Sequence, residues 1–387
     1  MTKHTTVFGD LLRHFSRSDF EKAVSGRKAD YKVRKLPCHD LFKTMIYGQA
    51  AGCFSVRELA TTMKVNRSRL YHCGLKEIKR STFCDALVKR DHEIFRSVFN
   101  RVAEKAQKVS CMAKKKFKNP LRIIDATILP LCLARFDWAK YVKTKGAVKL
   151  HMNLDGDSLM PYDACITTGK VHDLHRLDEL SQEKGVIYAM DRGYVDYKLL
   201  YNIELRSSYF VTRVKTNTAY KRVKNNPRKE GGPVLSDVLI ELTGPKTKGH
   251  YPKALRKIKY RDQEKKRTFE FLTNDMKRDA EEVAAIYKER WEVETFFKWI
   301  KQHLKIKGFW GTSENAVYSQ IWVALILQLL IWINKTLNGL KESAYELLIM
   351  IKASLLSKNS MLDLCANIKE PIPKIDCQQP LLEGFKC

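Results

Sequence analysis

The sequence predicts an α/β protein: a mixed sheet with helices, interrupted by a β-rich insert and preceded by an all-helical N-terminal domain. Three observations predict this. Residues 1 to about 110 show helical periodicity and almost no strand signal. After the basic stretch Lys114–Lys118 (KKKFK), short apolar β-rich runs alternate with helical ones. From about residue 215 the pattern loosens into a turn-rich stretch. Between Val211 and Arg267 it holds 17 Lys and Arg against 5 Asp and Glu.

The elements follow in order. Asp40–Ala51 and Val56–Met63 read as helices separated by the break at Gly52-Cys53-Phe54. Ser55 to Asp85 has the outline of a helix-turn-helix: SVRELATTM, then VNRSRLYHCG, then Ser81 capping TFCDALVKR. Arg67, Arg69, Lys76, Lys79 and Arg80 are placed to lie along phosphates, and an ordinary helical bundle with a basic surface fits the same residues. Residues 113–121 form a basic linker. RIIDATIL (122–129) is an apolar strand carrying one acid, Asp125. Strands at Ala147–Leu154 and Met160–Thr167 flank the turn Asp155-Gly156-Asp157. A helix (His172–Glu183), a strand (Gly185–Met190) running into Asp191, a helix (Val195–Leu205) and a strand (Tyr209–Val214) complete the series. The insert spans about 215–270 and ends near the strand-like Phe269–Thr273. Asp279 opens a helix that carries Glu294, Gly308–Gly311 breaks the chain, and a long apolar helix runs from Ala316 to about Leu337. The mixed-sheet region is thus bounded at 122–337, and 338–387 holds small helices and a polar tail.

Bulk properties restrict the partners. In 387 residues, 71 Lys and Arg face 43 Asp and Glu, a formal charge of +28 and a pI near 9.6. Such an excess favours polyanions, and counterion release favours nucleic acid among them. A membrane is not expected as a partner, because the charges are spread through folded-looking segments and form no terminal polybasic tail. The longest apolar run, Ile321–Ile333, carries Gln328 and falls short of a membrane span, so it reads as a buried helix. The polar opening MTKHTTVFGDLLRHF shows no secretory signal, and the 10 cysteines form no CxxC pair or zinc-like cluster. These features predict a cytoplasmic, nucleic-acid-binding protein with reduced thiols.

The chemistry is concentrated in acids and one helix. Asp125 lies inside an apolar strand, where an unpaired charge is costly, and Asp191 lies just past the end of another. A neighbour such as Arg122 could partner Asp125, and Asp191 could simply begin a turn. YKERWEVETFFKWIK (287–301), read as a helix, puts Tyr287, Arg290, Glu294, Lys298 and Lys301 on one stripe. That stripe is either a face of i,i+4 ion pairs or a carboxylate holding a metal ion among phosphate-gripping cations. Asp125, Asp191 and Glu294 together are what a two-metal phosphoryl-transfer site requires, since hard cations prefer oxygen ligands.

The spacing Tyr287-x2-Arg290-x3-Glu294-x6-Lys301 resembles the YREK signature of bacterial insertion-sequence transposases of insertion sequence family four. DRGYVD (191–196) resembles that family's block around its second catalytic Asp, and IIDATIL the block around the first. The strand order is similar to the RNase H-like core of DDE transposases. The resemblance covers about Arg122 to Leu337. It implies that Asp125, Asp191 and Glu294 are catalytic and hold two Mg²⁺, with Mn²⁺ as a substitute. It implies that Tyr287, Arg290 and Lys301 contact phosphates near the element's end, with Arg192 and Lys298 as further backbone contacts. Family members stack an aromatic residue of the insert on a flipped base. This insert has no Trp, leaving Tyr220, Tyr251 and Tyr260 as substitutes. The implied activity is cut-and-paste transposition: end nicking, hairpin formation and resolution, then strand transfer. The implied partners are double-stranded DNA, as element ends and target, and a second copy in a synaptic homodimer, within a nucleoid-associated cytoplasmic setting. An RNase H-fold endonuclease or resolvase, or a catalytically silent DNA-binding descendant, would share much of this sequence.

Overall fold

The computed structural model describes residues 6–27, 29–110, 116–263, 266–303 and 308–367. Ten strands form one sheet. They are β1 (Leu121–Leu131), β2 (Lys140–Val142), β3 (Lys145–Asp155), β4 (Pro161–Thr168), β5 (Ile187–Met190), β6 (Tyr209–Arg213), β7 (Tyr220–Asn225), β8 (Val234–Leu242), β9 (Leu255–Asp262) and β10 (Arg267–Thr273).

β1 runs antiparallel to β3, and β3 antiparallel to β4. β5 joins β1 in parallel and β6 joins β5 in parallel. The resulting order β4-β3-β1-β5-β6 is that of an RNase H-like core. The three-strand, helix, strand, helix, strand series read from the sequence is the one observed, with the helices trimmed to Leu174–Leu180 and Tyr197–Leu205. The insert is β-rich as expected, and it is continuous with the core. β10 pairs antiparallel with β6, and β9, β8 and β7 follow as an antiparallel meander.

Register explains where the acids fall. The last β1–β5 pair is Ile124 with Met190. β5 ends there while β1 continues to Leu131, so Asp125, within β1, comes level in register with Asp191, just past the carboxyl end of the parallel neighbour β5. Open α/β sheets build sites at that edge. The Asp155-Gly156-Asp157 turn forms between β3 and β4, where Asp155 accepts from the Asp157 and Ser158 amides.

The long apolar helix is Glu314–Leu337. It is long and apolar enough to cross a membrane by length and composition, yet 89% of its apolar window is buried inside the protein. Sequence grouped it with the sheet region. It instead forms the axis of the N-terminal bundle, packed by helices Cys38–Ala51, Arg80–Lys89 and Glu93–Ser110. Asn334 donates to the Leu11 carbonyl (3.1 Å), and the Met361 amide donates to Asp10 (2.8 Å). Both ends of the described chain therefore close the same bundle, and one hydrophobic cluster runs from it into the sheet.

Two local readings change. In the helix-turn-helix outline, Val56–Val65 forms and is capped by Ser55, but the middle helix shrinks to one turn, Arg67–Leu70, and a 3-10 turn ending at Gly74 (φ +60°). The third helix starts one residue before Ser81, from Lys79, so Ser81 does not cap it. Residues 111–115, which include the start (113–115) of the expected linker, and the tail beyond residue 367 lie outside the described residues.

Candidate active site

The helix carrying the stripe is broken. Ala280–Glu289 and Glu292–His303 are separate helices joined through Arg290 and Trp291. The joint is tightened by three-residue bonds: Arg290 N–H to the Tyr287 carbonyl (3.2 Å) and Glu294 N–H to the Trp291 carbonyl (3.1 Å). The five stripe residues therefore do not share one face. Tyr287 is 2% exposed, its ring 4.9 Å from that of Phe271, and the Arg290 guanidinium lies 5.2 Å above it. Past the joint, Glu294 and Lys298 are exposed and Lys301 is half-buried.

Asp125, Asp191, Arg290, Glu294, Lys298 and Lys301 line one open cleft of about 550 Å³. The three predicted acids and three of the predicted cations are thus brought together. Tyr287 lies beneath Arg290, outside that lining, and Arg192 is exposed on the 3-10 turn Arg192–Tyr194 beside it.

Asp125 is the strained member. Its side chain is 19% exposed, and one oxygen accepts from Arg290 Nη1 at 2.9 Å while the other accepts from the Ala126 amide at 2.8 Å. Burial pushes its carboxyl up to about 6, opposed by Arg290 and the Ala126 amide and reinforced by the Asp191 and Asp173 carboxylates. Arg122 is not its partner. Three residues away along a strand, Arg122 points to the opposite face, where it pairs with Asp155 (2.7 Å) and Glu183 (2.8 Å). Asp191 opens the 3-10 turn, and its carbonyl accepts from the Tyr194 amide (3.0 Å) and the Thr212 hydroxyl (3.3 Å).

Two residues of this neighbourhood carried no assigned role in the sequence. The Tyr194 hydroxyl is buried without a hydrogen-bond partner and held well above the usual phenol range by burial and by the Asp173, Asp125 and Asp191 carboxylates. Asp173 pairs with Lys149 at 3.0 Å and lies 3.6 Å from His151. Tyr194 entered the sequence reading only as part of DRGYVD, and nothing local marks Asp173.

The donor chemistry of the cleft, the three carboxylates of Asp125, Asp191 and Glu294, suits a hard divalent cation. As placed, among the described residues, no three His, Cys, Asp or Glu side chains stand close enough to hold an ion. The Arg290 guanidinium supplies the positive charge at Asp125.

A second concavity of about 660 Å³ lies on the other side of Tyr287, lined by Tyr260, Phe269, Phe271, Tyr287 and Trp291. Phe269 stacks on Phe271 (6.1 Å) and meets Trp291 edge-on (5.6 Å). Of the other expected aromatics, Tyr251 is buried with its hydroxyl on Glu204, and Tyr220 accepts from Lys257 (2.7 Å).

Comparison with known proteins agrees with this geometry. The family described as "Transposase DDE domain" matches residues 116–330, and a "Domain of unknown function (DUF4372)" matches residues 3–76. The putative transposase y4zB of Sinorhizobium fredii is 34% identical over 66% of this chain and 71% of its own length. The probable transposase for insertion sequence element IS5377 of Geobacillus stearothermophilus is 30% identical over 67% and 68%. A piggyBac transposase synaptic complex with hairpin DNA aligns over 95% of this chain and 80% of that chain, with 13% identity and a TM-score of 0.47, too low to carry an argument. With the family match covering more than half of the sequence, the chain belongs to the DDE-domain transposases, DNA-cleaving and DNA-transferring enzymes that generally use divalent metal ions.

Proposed function

We propose that this chain catalyses cut-and-paste transposition of an insertion sequence by phosphoryl transfer in the Asp125–Asp191–Glu294 cleft. The observation that carries the proposal is the meeting of these acids, from within β1, from the end of β5 and from a helix, in one cleft with Arg290, Lys298 and Lys301. Two Mg²⁺ ions, or Mn²⁺ in their place, held by Asp125, Asp191 and Glu294 would supply an activated attacking oxygen and a stabilised leaving oxygen. The protein's own part is positioning and charge neutralisation. Lys298 and Lys301 flank Glu294 on the rim and grip the phosphodiester backbone, and the guanidinium of Arg290 takes a phosphate in its fork. Arg192, exposed beside Asp191, adds a backbone contact. Tyr287 supports Arg290 from below.

The products follow the family's sequence of events: a nicked end, a hairpin on the opposite strand, its reopening, and joining to target DNA. The aromatic concavity beside the cleft suits a base flipped out at the hairpin, with Tyr260 or Trp291 as the stacking surface. The exposed cations Lys64, Arg67, Arg69, Lys76, Lys79 and Arg80 hold element-end DNA on the N-terminal bundle. Two copies hold two ends.

The test incubates the purified chain with Mg²⁺ and linear DNA carrying the flanking element's ends, and resolves products on a denaturing gel. End-specific nicks and hairpins that vanish with Glu294→Gln support the reading. Nicks without hairpins or joined products favour an endonuclease. Tight, salt-sensitive binding without cleavage in either metal favours a silent descendant.

A further inference from the structure

The sheet has two surfaces, and register decides which side chains share each. Ile123 pairs with Ala189, Ala189 with Val211, Val211 with Thr273 and Thr273 with Arg256. Paired residues share a face and residues two apart return to it, so Asp125, Arg256, Ile258 and Tyr260 lie on one surface. Lys257, Lys259 and Arg261 alternate with them along β9 and lie on the other. Arg222 of β7 joins that second surface, because it pairs with Ile240, which pairs with Leu255. Ser236 stands opposite Lys259, and Thr268 opposite Arg261. Ile240 and Leu255 are buried, whereas Arg222, Lys259, Arg261 and Thr268 are exposed, so this part of the surface is bare. Lys257 pairs with Glu270 at 3.1 Å. Among the described residues, Arg222, Lys259 and Arg261 have no ion-pair partner.

We propose that this back surface of the insert is a second DNA-binding face, which holds the phosphates of host duplex DNA without reading its sequence. This rests on the transposase reading above and gives that enzyme a DNA site outside the cleft. Exposed cations without partners gain most from displacing the counterions of a polyanion. On β9 the cations recur every second residue, about 6.8 Å apart, in a row that can follow a phosphate backbone. The Ser236 and Thr268 hydroxyls beside them are donors of the kind that meet phosphate oxygens and carry no sequence information. A second copy of the chain is a poor occupant, since a two-fold contact sets the same cations against each other. Strand addition at the β7 edge is disfavoured by its Lys and Arg side chains and by the irregularity between Arg222 and Lys224. Because Asp125 lies on the other surface, a duplex held here is kept apart from the phosphodiester in the cleft. The consequence is capture: a chain engaged on an element end keeps a hold on host DNA.

The experiment saturates the full chain, in EDTA so that nothing turns over, with a duplex carrying the element's end. A second, labelled duplex of unrelated sequence is then titrated, and its fluorescence anisotropy is followed over a range of salt. The unaltered protein is compared with the triple variant Arg222→Gln, Lys259→Gln, Arg261→Gln. A control triple, Lys341→Gln, Lys352→Gln, Lys358→Gln, removes the same charge from exposed positions elsewhere. A DNA-binding face predicts that the salt slope for the second duplex falls by about three in the first triple, roughly one per lost phosphate contact. The control changes little, and element-end affinity is unchanged in both. Equal slopes in the two triples overturn the inference, because general attraction to a chain of charge +28 then accounts for the binding. Loss of element-end affinity in the first triple also overturns it, by making the surface part of end binding. So does altered sedimentation of the DNA-free chain with duplex binding intact, which makes the surface a contact between copies. Failure of the transposase reading looks different: the unaltered chain then leaves the end duplex uncut when Mg²⁺ replaces EDTA, whatever the slopes.

Discussion

Two buried arginine–aspartate pairs lie within one sheet and are built to opposite standards. In the insert, Arg256 grips Asp237 with two bonds, Nε to Oδ1 (2.9 Å) and Nη2 to Oδ2 (2.6 Å). Asn226 donates to the same carboxylate (2.8 Å), and the third guanidinium nitrogen reaches the Asp275 carbonyl (3.2 Å) and that of Arg278. In the cleft, Arg290 holds Asp125 by one bond and leaves Nε without a partner. A fully satisfied pair fixes the insert against the core. A half-satisfied one leaves a buried donor without an acceptor. Burial alone does not separate the two; hydrogen-bond completeness does.

The largest expected effect breaks the cleft side of this comparison. Glu294→Gln removes the carboxylate proposed to hold metal from an exposed helix position without disturbing the core. End nicking falls by about a thousandfold, the scale of losing a principal charge stabiliser, while urea denaturation leaves stability nearly unchanged.

The next effect contrasts the pairs directly. Asp237→Asn strands a buried guanidinium and costs about 3–5 kcal/mol of folding stability. Asp125→Asn, at the same chemistry, does not lower stability at pH 7, because burial already disfavours that carboxylate's charge. Equal losses in the two variants would mean that the cleft pair is as structural as the insert pair.

A smaller effect appears in pH dependence. Asp125 is raised to about 6 from 3.8, so between those values the folded chain holds a proton that the unfolded chain has lost, and its contribution falls as pH rises. His151, 0% exposed and bonded to Thr167 (2.9 Å), is lowered by burial to about 4 from 6.5. There the unfolded chain holds the extra proton, so its contribution rises with pH. Each slope is at most about 1.4 kcal/mol per pH unit, and the two offset each other between about pH 4 and 6. Chemical denaturation across that range therefore shows a rising curve for Asp125→Asn and a falling one for His151→Gln. Parallel curves would contradict both assignments.

The smallest expected effect concerns Tyr287. Its hydroxyl is buried without a hydrogen-bond partner, so Tyr287→Phe changes stability by less than about 1 kcal/mol and leaves DNA affinity almost unchanged. A tenfold loss of affinity in a gel-shift titration would instead make the phenol a direct phosphate contact, as the family resemblance implies.

Much of this was legible in the sequence because alternation and spacing are local. The core strands, their order and the three acids could be read from an apolar run interrupted by Asp125, another that ends at Asp191, and the spacing of Tyr287, Arg290, Glu294 and Lys301. What was missed depended on tertiary contacts. No Gly or Pro marks the break at Arg290–Trp291, which is made by packing Tyr287 on Phe271 and seating Arg290 on Asp125. Nothing local says that Glu314–Leu337 serves the N-terminal bundle, since an all-round apolar helix fits any core. Arg122 was a tempting partner for Asp125, although strand alternation sets residues three apart on opposite faces. Trp291, outside the insert, joined its aromatic pocket only through the fold.

Asp125, Asp191 and Glu294 are proposed to surround the ion that does the chemistry. Replacing Mg²⁺ with Fe²⁺ on the DNA-bound chain, then adding ascorbate and hydrogen peroxide, cuts the polypeptide beside the bound metal. The account predicts backbone cuts clustered at residues near 125, 191 and 294, suppressed by excess Mg²⁺ and lost with Asp125→Asn. Cuts elsewhere, or a pattern unchanged by that substitution, would contradict it.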